Sequence, residues 1–62
     1  MKTRTTIMYN VPLTETILLN DNGYELTKIL NIYYIKHNGI TIKTYKQYKS
    51  AINKYYDLKL SK

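Results

Sequence analysis

Four carboxylates, one histidine and eight tyrosines are the side chains of this 62-residue chain that could move a proton or attack a substrate. Catalysis requires such groups to converge, with a base beside a nucleophile or two carboxylates of opposed protonation. Glu15, Asp21, Glu25 and Asp57 are scattered, and three of them stand in or near turns and expected helix starts, where capping accounts for them. His37 adjoins an Asn-Gly pair, the place of a surface or capping histidine. With no cysteine and one histidine, the chain has neither a disulfide framework nor a ligand set for a metal. No tyrosine is marked by the arginine and histidine partners that would activate it, and there is no Gly-rich phosphate loop. The expectation is a protein with no catalytic residue, no metal and no cofactor: not an enzyme.

The chemistry that the sequence does offer is that of ammonium groups. Ten basic residues against four acidic ones give a formal charge of +6, and the charge is unevenly placed. Residues 1–27 carry two basic residues against three acids, a net of −1; residues 28–62 carry eight lysines against Asp57, a net of +7. Lysines near phosphates release condensed counterions, so this asymmetry points to a polyanionic partner, DNA first. A solvated lysine surface and an acidic protein partner are the competing readings. Tyrosine is the only aromatic residue apart from His37, so the tyrosines must supply much of the core as well as any stacking surface.

The elements that must position these groups follow from periodicity. A chain of this length forms one small domain, 1–62, which buries only about 60% of its unfolded surface and gains from self-association or a partner. Residues 5–11 alternate, with Ile7, Tyr9 and Val11 on one face, which predicts a strand that Pro12 stops or marks as an edge. Residues 15–20 predict a second strand, closed by the turn signal Asp21 to Gly23.

Residues 24–38 fit two periods. As a helix, Asn22 and Glu25 form a capping box, Leu26, Ile29, Leu30, Tyr33, Tyr34 and His37 share one side, and Gly39 closes the C-terminus. As strands, Asn22-Gly23 and Asn38-Gly39 are hairpin turns, but the inward parity must flip near Asn31, which demands a bulge. The helix is the preferred reading. The last segment, capped by Thr41 or Thr44, predicts a helix with Tyr45, Tyr48, Ala51, Ile52 and Tyr55 inward and Lys43, Lys46, Lys49, Lys54 and Lys59 outward. Lys54, Lys59 and Lys62 suit the negative end of its dipole. The expected fold class is therefore α+β: an N-terminal strand or β-hairpin, then two helices joined at Gly39. The alternative is a β-meander with one C-terminal helix.

Two helices joined through a glycine outline a helix-turn-helix, whose second helix enters the major groove. Lys43, Lys46 and Gln47 would then face base edges, with Lys49 and Lys54 on phosphates; lysine suits guanine and glutamine suits adenine. Tyr33, Tyr34 and Tyr56 are the candidates for a protein interface, where tyrosine is favoured.

The run GITIKTYKQYKSAINKYYDL resembles the start of the core-binding domain of tyrosine recombinases (phage integrases). Gly39, Thr41, Thr44, Tyr45, Tyr48, Ala51, Ile52 and Tyr55 follow that family's order of glycine turn, small polar residue, threonine and apolar or aromatic positions. The resemblance covers residues 25–60 at most and implies that the preceding segment is the family's first helix. The sequence stops short of the remaining core-binding helices and of the catalytic domain, so no recombinase catalytic residue carries over.

The function expected is that of a small, basic DNA-binding protein of phage or mobile-element type, acting in transcription regulation or as an excisionase-like recombination accessory factor. The alternative is a small phage-type inhibitor or adaptor that binds a larger protein, such as a recombinase or a host nuclease. A homodimer that pairs strand 5–11 with its mate is a third arrangement. No apolar run is long enough to span a bilayer and no signal segment opens the chain, so an intracellular, cytoplasmic protein without membrane contact is expected. The isoleucine, lysine and asparagine usage fits an AT-rich genome.

Overall fold

Four two-residue turns fold the first three quarters of the chain into a single antiparallel meander. A computed structural model describes residues 2–60. Strands β1 (Lys2–Met8), β2 (Val11–Asp21), β3 (Tyr24–Ile29), β4 (Ile32–His37) and β5 (Ile40–Tyr45) lie side by side in sequence order, followed by helix α1 (Tyr48–Leu60). At Tyr9-Asn10, Asn22-Gly23 and Asn38-Gly39 both turn residues have positive φ, the type I′ geometry that matches strand twist. Leu30, at φ +55°, takes the first position of the fourth turn, opposite the usual preference for glycine there.

The two-helix expectation is overturned. Residues 24–38 are the β3–β4 hairpin, and α1 is the single helix among the described residues. The parity flip near Asn31 is no bulge: it is the Leu30-Asn31 turn, after which the inward positions change from Tyr24, Leu26 and Lys28 to Tyr33, Ile35 and His37. Register pairs these residues directly, Tyr24 with His37, Leu26 with Ile35 and Lys28 with Tyr33. Thr41 and Thr44 do not cap a helix either. Both belong to β5, whose β-branched and aromatic residues gain a ladder on β4. The helix starts only at Tyr48, with the Ala51 N–H donating to the Gln47 carbonyl at 3.2 Å.

Pro12 does not stop a strand; it lies inside β2, opposite Ile7. A two-residue turn makes Met8 and Val11 the hydrogen-bonded pair, so the next pair, Ile7 and Pro12, is not hydrogen-bonded and the missing N–H falls on the side away from β1. On that side β2 has no neighbour until Thr16 meets Lys28. A bulge between Ile17 and Leu19 then lets both Leu18 and Leu19 pack on the core.

The helix covers one face of β3, β4 and β5. Leu26, Ile35, Ala51 and Tyr55 are fully buried between the layers, with Leu18, Leu19, Tyr24, Tyr33, Tyr45, Ile52 and Leu58 packed round them. Ala51 is a small side chain fully buried in this layer, and Tyr55 crosses the layer to donate its hydroxyl to the Tyr24 carbonyl at 3.1 Å. His37 stacks on Tyr24, ring centroids 4.2 Å apart and planes within 8°. The β1–β2 hairpin extends beyond the helix and ends in exposed Ile7, Tyr9 and Val11. No helix among the described residues is long and apolar enough to cross a membrane. Lys62, expected near the helix end, lies outside the described residues.

Candidate nucleic-acid interface

The acids are spoken for before any site is built. On the sheet face away from the helix, register aligns Arg4 with Glu15 and Glu25 with Lys36. The Glu15 carboxylate is inaccessible to water, yet each of its oxygens is satisfied: one by Arg4 Nε at 2.8 Å, the other by Lys36 Nζ at 2.7 Å and Thr27 Oγ1 at 2.6 Å. Burial pushes the Glu15 pKa up, but the hydrogen bonds from Arg4, Lys36 and Thr27 outweigh it and hold the group at about 2. Arg4 also forks onto Glu25, at 2.7 Å and 3.4 Å, and its own pKa rises through its bonds to Glu15 first and Glu25 second. Asp21 takes Lys59 at 2.7 Å, a contact that raises the Lys59 pKa. Asp57 meets Lys54 loosely at 3.5 Å. No group of three His, Asp or Glu residues among those described is placed to hold a metal.

Five of the described lysines have no carboxylate partner among the described residues; Lys2 stands apart at the start of β1, and the other four, Lys28, Lys43, Lys46 and Lys49, lie along one corner of the molecule. The meander brings them together. Lys28, Tyr33 and Tyr45 form a row across β3, β4 and β5, with strands about 4.8 Å apart. Lys46 and Gln47 follow Tyr45 directly, and Lys49 stands in the first turn of α1. A register shift between Ile35 and Lys36 places Lys43 opposite Ile35, on the helix side of β5, where it is exposed.

Aromatic rings link the row. Lys28 Nζ lies over the Tyr33 ring, 5.6 Å from its centroid, and Tyr48 meets Tyr33 edge-to-face at 5.6 Å and 62°. Tyr48 is half-exposed, whereas Tyr55, from the same expected stripe, is buried. The arrangement can attract and hold phosphates.

Of the expected DNA contacts, Lys43, Lys46, Gln47 and Lys49 fall together at this β5–α1 corner. Lys54 does not: it lies about 140° round the helix from Lys49 and pairs with Asp57. Because the helix-turn-helix is absent, Lys46 and Gln47 sit in the strand-to-helix link and not on a groove-entering helix. Tyr33, Tyr34 and Tyr56 do not form one surface. Neighbours in β4, Tyr33 and Tyr34 point to opposite faces, and Tyr56 lies on the outer side of α1 under Lys59. Lys28 and Tyr48 are the members that sequence reasoning missed. Lys28 was hidden by the helical reading of its segment, and Tyr48 matched the core stripe.

No family model, no curated protein and no solved structure matches this chain. The segment expected as the first helix of a recombinase core-binding domain is the β3–β4 hairpin.

Proposed function

We propose that this protein is a small, basic, non-catalytic DNA-binding protein that grips the phosphate backbone with the β5–α1 corner. It acts inside the cell, as a regulator or recombination accessory factor of phage or mobile-element type. The observation that carries this reading is the sorting of charge: every described carboxylate has a basic partner, while four of the five described lysines that have none, Lys28, Lys43, Lys46 and Lys49, share one corner.

Four phosphate contacts on a duplex give a log–log salt slope of about −3.6, so affinity falls about 150-fold between 50 and 200 mM salt. Fluorescence anisotropy with labelled DNA measures this. Replacing Lys43, Lys46 or Lys49 by alanine lowers the slope by about 0.9 each. Absence of binding to any DNA at low salt sinks the proposal.

The exposed hairpin tip, Ile7, Tyr9 and Val11, favours a second reading, in which the chain is an adaptor or inhibitor that inserts this tip into a larger protein such as a recombinase or host nuclease. In that case Tyr9→Ser abolishes capture of the partner from nuclease-treated lysate and leaves DNA affinity unchanged.

A further inference from the structure

Resting on the DNA-binding reading, we infer that the β5–α1 corner takes an unpaired base, stacked on Tyr48, so that the preferred ligand is DNA with a single-stranded segment. A stacking platform needs an aromatic face open to water, backed by something rigid and flanked by cations that can follow the strand. Tyr48 meets each requirement. It is 50% exposed, its neighbour Tyr33 supports it edge-to-face, and Lys46 and Lys49 flank it in the chain. Tyr33 cannot serve in its place. Lys28 covers one side of that ring, Tyr45 stands across the strand pair, and the residue is half-buried against the core.

The other exposed tyrosines lack this setting. Tyr9 is 94% exposed at the hairpin tip, with no lysine within the turn. Tyr56 lies under Lys59, but that lysine is held by Asp21 at 2.7 Å, and Asp57 stands next in the chain. A basic and aromatic surface without neighbouring acid occurs only round Tyr48 among the described residues.

The fold also disfavours reading a closed duplex from this corner. In a duplex the faces of the bases are stacked on one another and only their edges reach the grooves, so a tyrosine ring can stack only on a base that is out of the helix. Reading edges requires an element that projects into a groove. Helix α1 instead lies on β3, β4 and β5 with Ala51 and Tyr55 buried, and its first turn is held at Tyr33. What the corner offers outward is one ring and four ammonium groups, a pairing suited to a base and its phosphates.

The test compares three labelled probes at one salt concentration: an oligothymidine strand, a blunt duplex, and the same duplex with a short gap. Anisotropy is read for the wild-type protein and for Tyr48→Ala, Tyr48→Leu and Tyr48→Phe. The strand and the gapped duplex are expected to bind at least about tenfold more tightly than the blunt duplex, with quenching of tyrosine fluorescence. Tyr48→Ala and Tyr48→Leu lose about 5- to 150-fold on the strand, the range of one base–aromatic stack, and little on the blunt duplex. Tyr48→Phe, which keeps the ring, retains wild-type affinity. Leucine preserves apolar packing on Tyr33, so a merely structural tyrosine predicts no loss in that variant. Equal binding of all three probes, or equal losses on strand and duplex, overturns the inference and leaves the DNA-binding reading standing. No binding to any probe overturns both.

Discussion

Replacing Glu15 by glutamine tests the buried charge network, and its effect can be worked out from the structure. Glu15 is the centre of the uncovered sheet face: fully buried, with Arg4, Lys36 and Thr27 all donating to it at 2.6 to 2.8 Å. Its folded pKa of about 2 lies below the ordinary value of 4.5. A group whose pKa is depressed on folding stabilises the native state above its unfolded pKa, and that stability is lost as pH falls toward the folded value. A shift of this size corresponds to about 3 kcal/mol. Removing one member of a buried pair costs about 3 to 5 kcal/mol, and the lower end applies because Arg4 is partly exposed and keeps Glu25. A domain of 62 residues has only about 3 to 9 kcal/mol in all.

Urea denaturation followed by far-UV circular dichroism, at a series of pH values, measures the gap between wild type and Glu15→Gln. The gap is expected to be about 3 kcal/mol at pH 7, to shrink below about pH 4.5 and to close near pH 2. A gap under about 1 kcal/mol at pH 7, or one that persists at pH 2, refutes the reasoning. Should Glu15→Gln be too unstable to measure, Thr27→Val removes one of the three bonds and is expected to cost about 1 kcal/mol.

Two further outcomes follow from local geometry. Leu30 is exposed at φ +55°, a conformation that costs an L-residue about 1 to 2 kcal/mol, so Leu30→Gly is expected to stabilise the protein by about 1 kcal/mol in the same urea assay. Tyr55→Phe removes the bond to the Tyr24 carbonyl and is expected to cost about 1 kcal/mol. Burial also raises the Tyr55 pKa, so spectrophotometric titration of the wild type should show a late-ionising tyrosine that is missing from the variant.

The sequence makes the two Asn-Gly turns and a C-terminal helix legible, but it hides both the Tyr9-Asn10 turn, which breaks the strand expected over 5–11, and the turn that decides the fold. Leu30-Asn31 carries no glycine or proline, and leucine is a poor residue for positive φ. Without that turn, residues 24–38 form a continuous stretch whose apolar residues fit a helical stripe almost as well as a pair of strands. The two periods share Leu26, Tyr33 and His37, so periodicity alone could not separate them. Tertiary pairing does: as strands, Leu26 and Ile35 meet directly and both are buried, whereas the helical stripe leaves Ile35 outside. The bulges at Leu18 and Ile42 were equally hidden. The second of them turns Lys43 to the helix side, joining it to the cluster that Lys46 and Lys49 begin.

The topology thereby changes what the basic half of the chain means. Read linearly, eight lysines after residue 27 suggest a helix coated with charge. In the fold, Lys36 belongs to the Glu15 network, Lys59 to Asp21 and Lys54 to Asp57, so these three serve the domain's own packing and surface pairing. Lys28 comes from β3, far from the others in sequence, and reaches the corner only because the meander sets β3, β4 and β5 edge to edge. A surface charged only for solubility has no reason to gather four of its five described unpaired lysines, since like charges in one place repel. Gathered round two tyrosines, with the acids held elsewhere, the same lysines are what the proposed surface for a strand of phosphates and bases rests on.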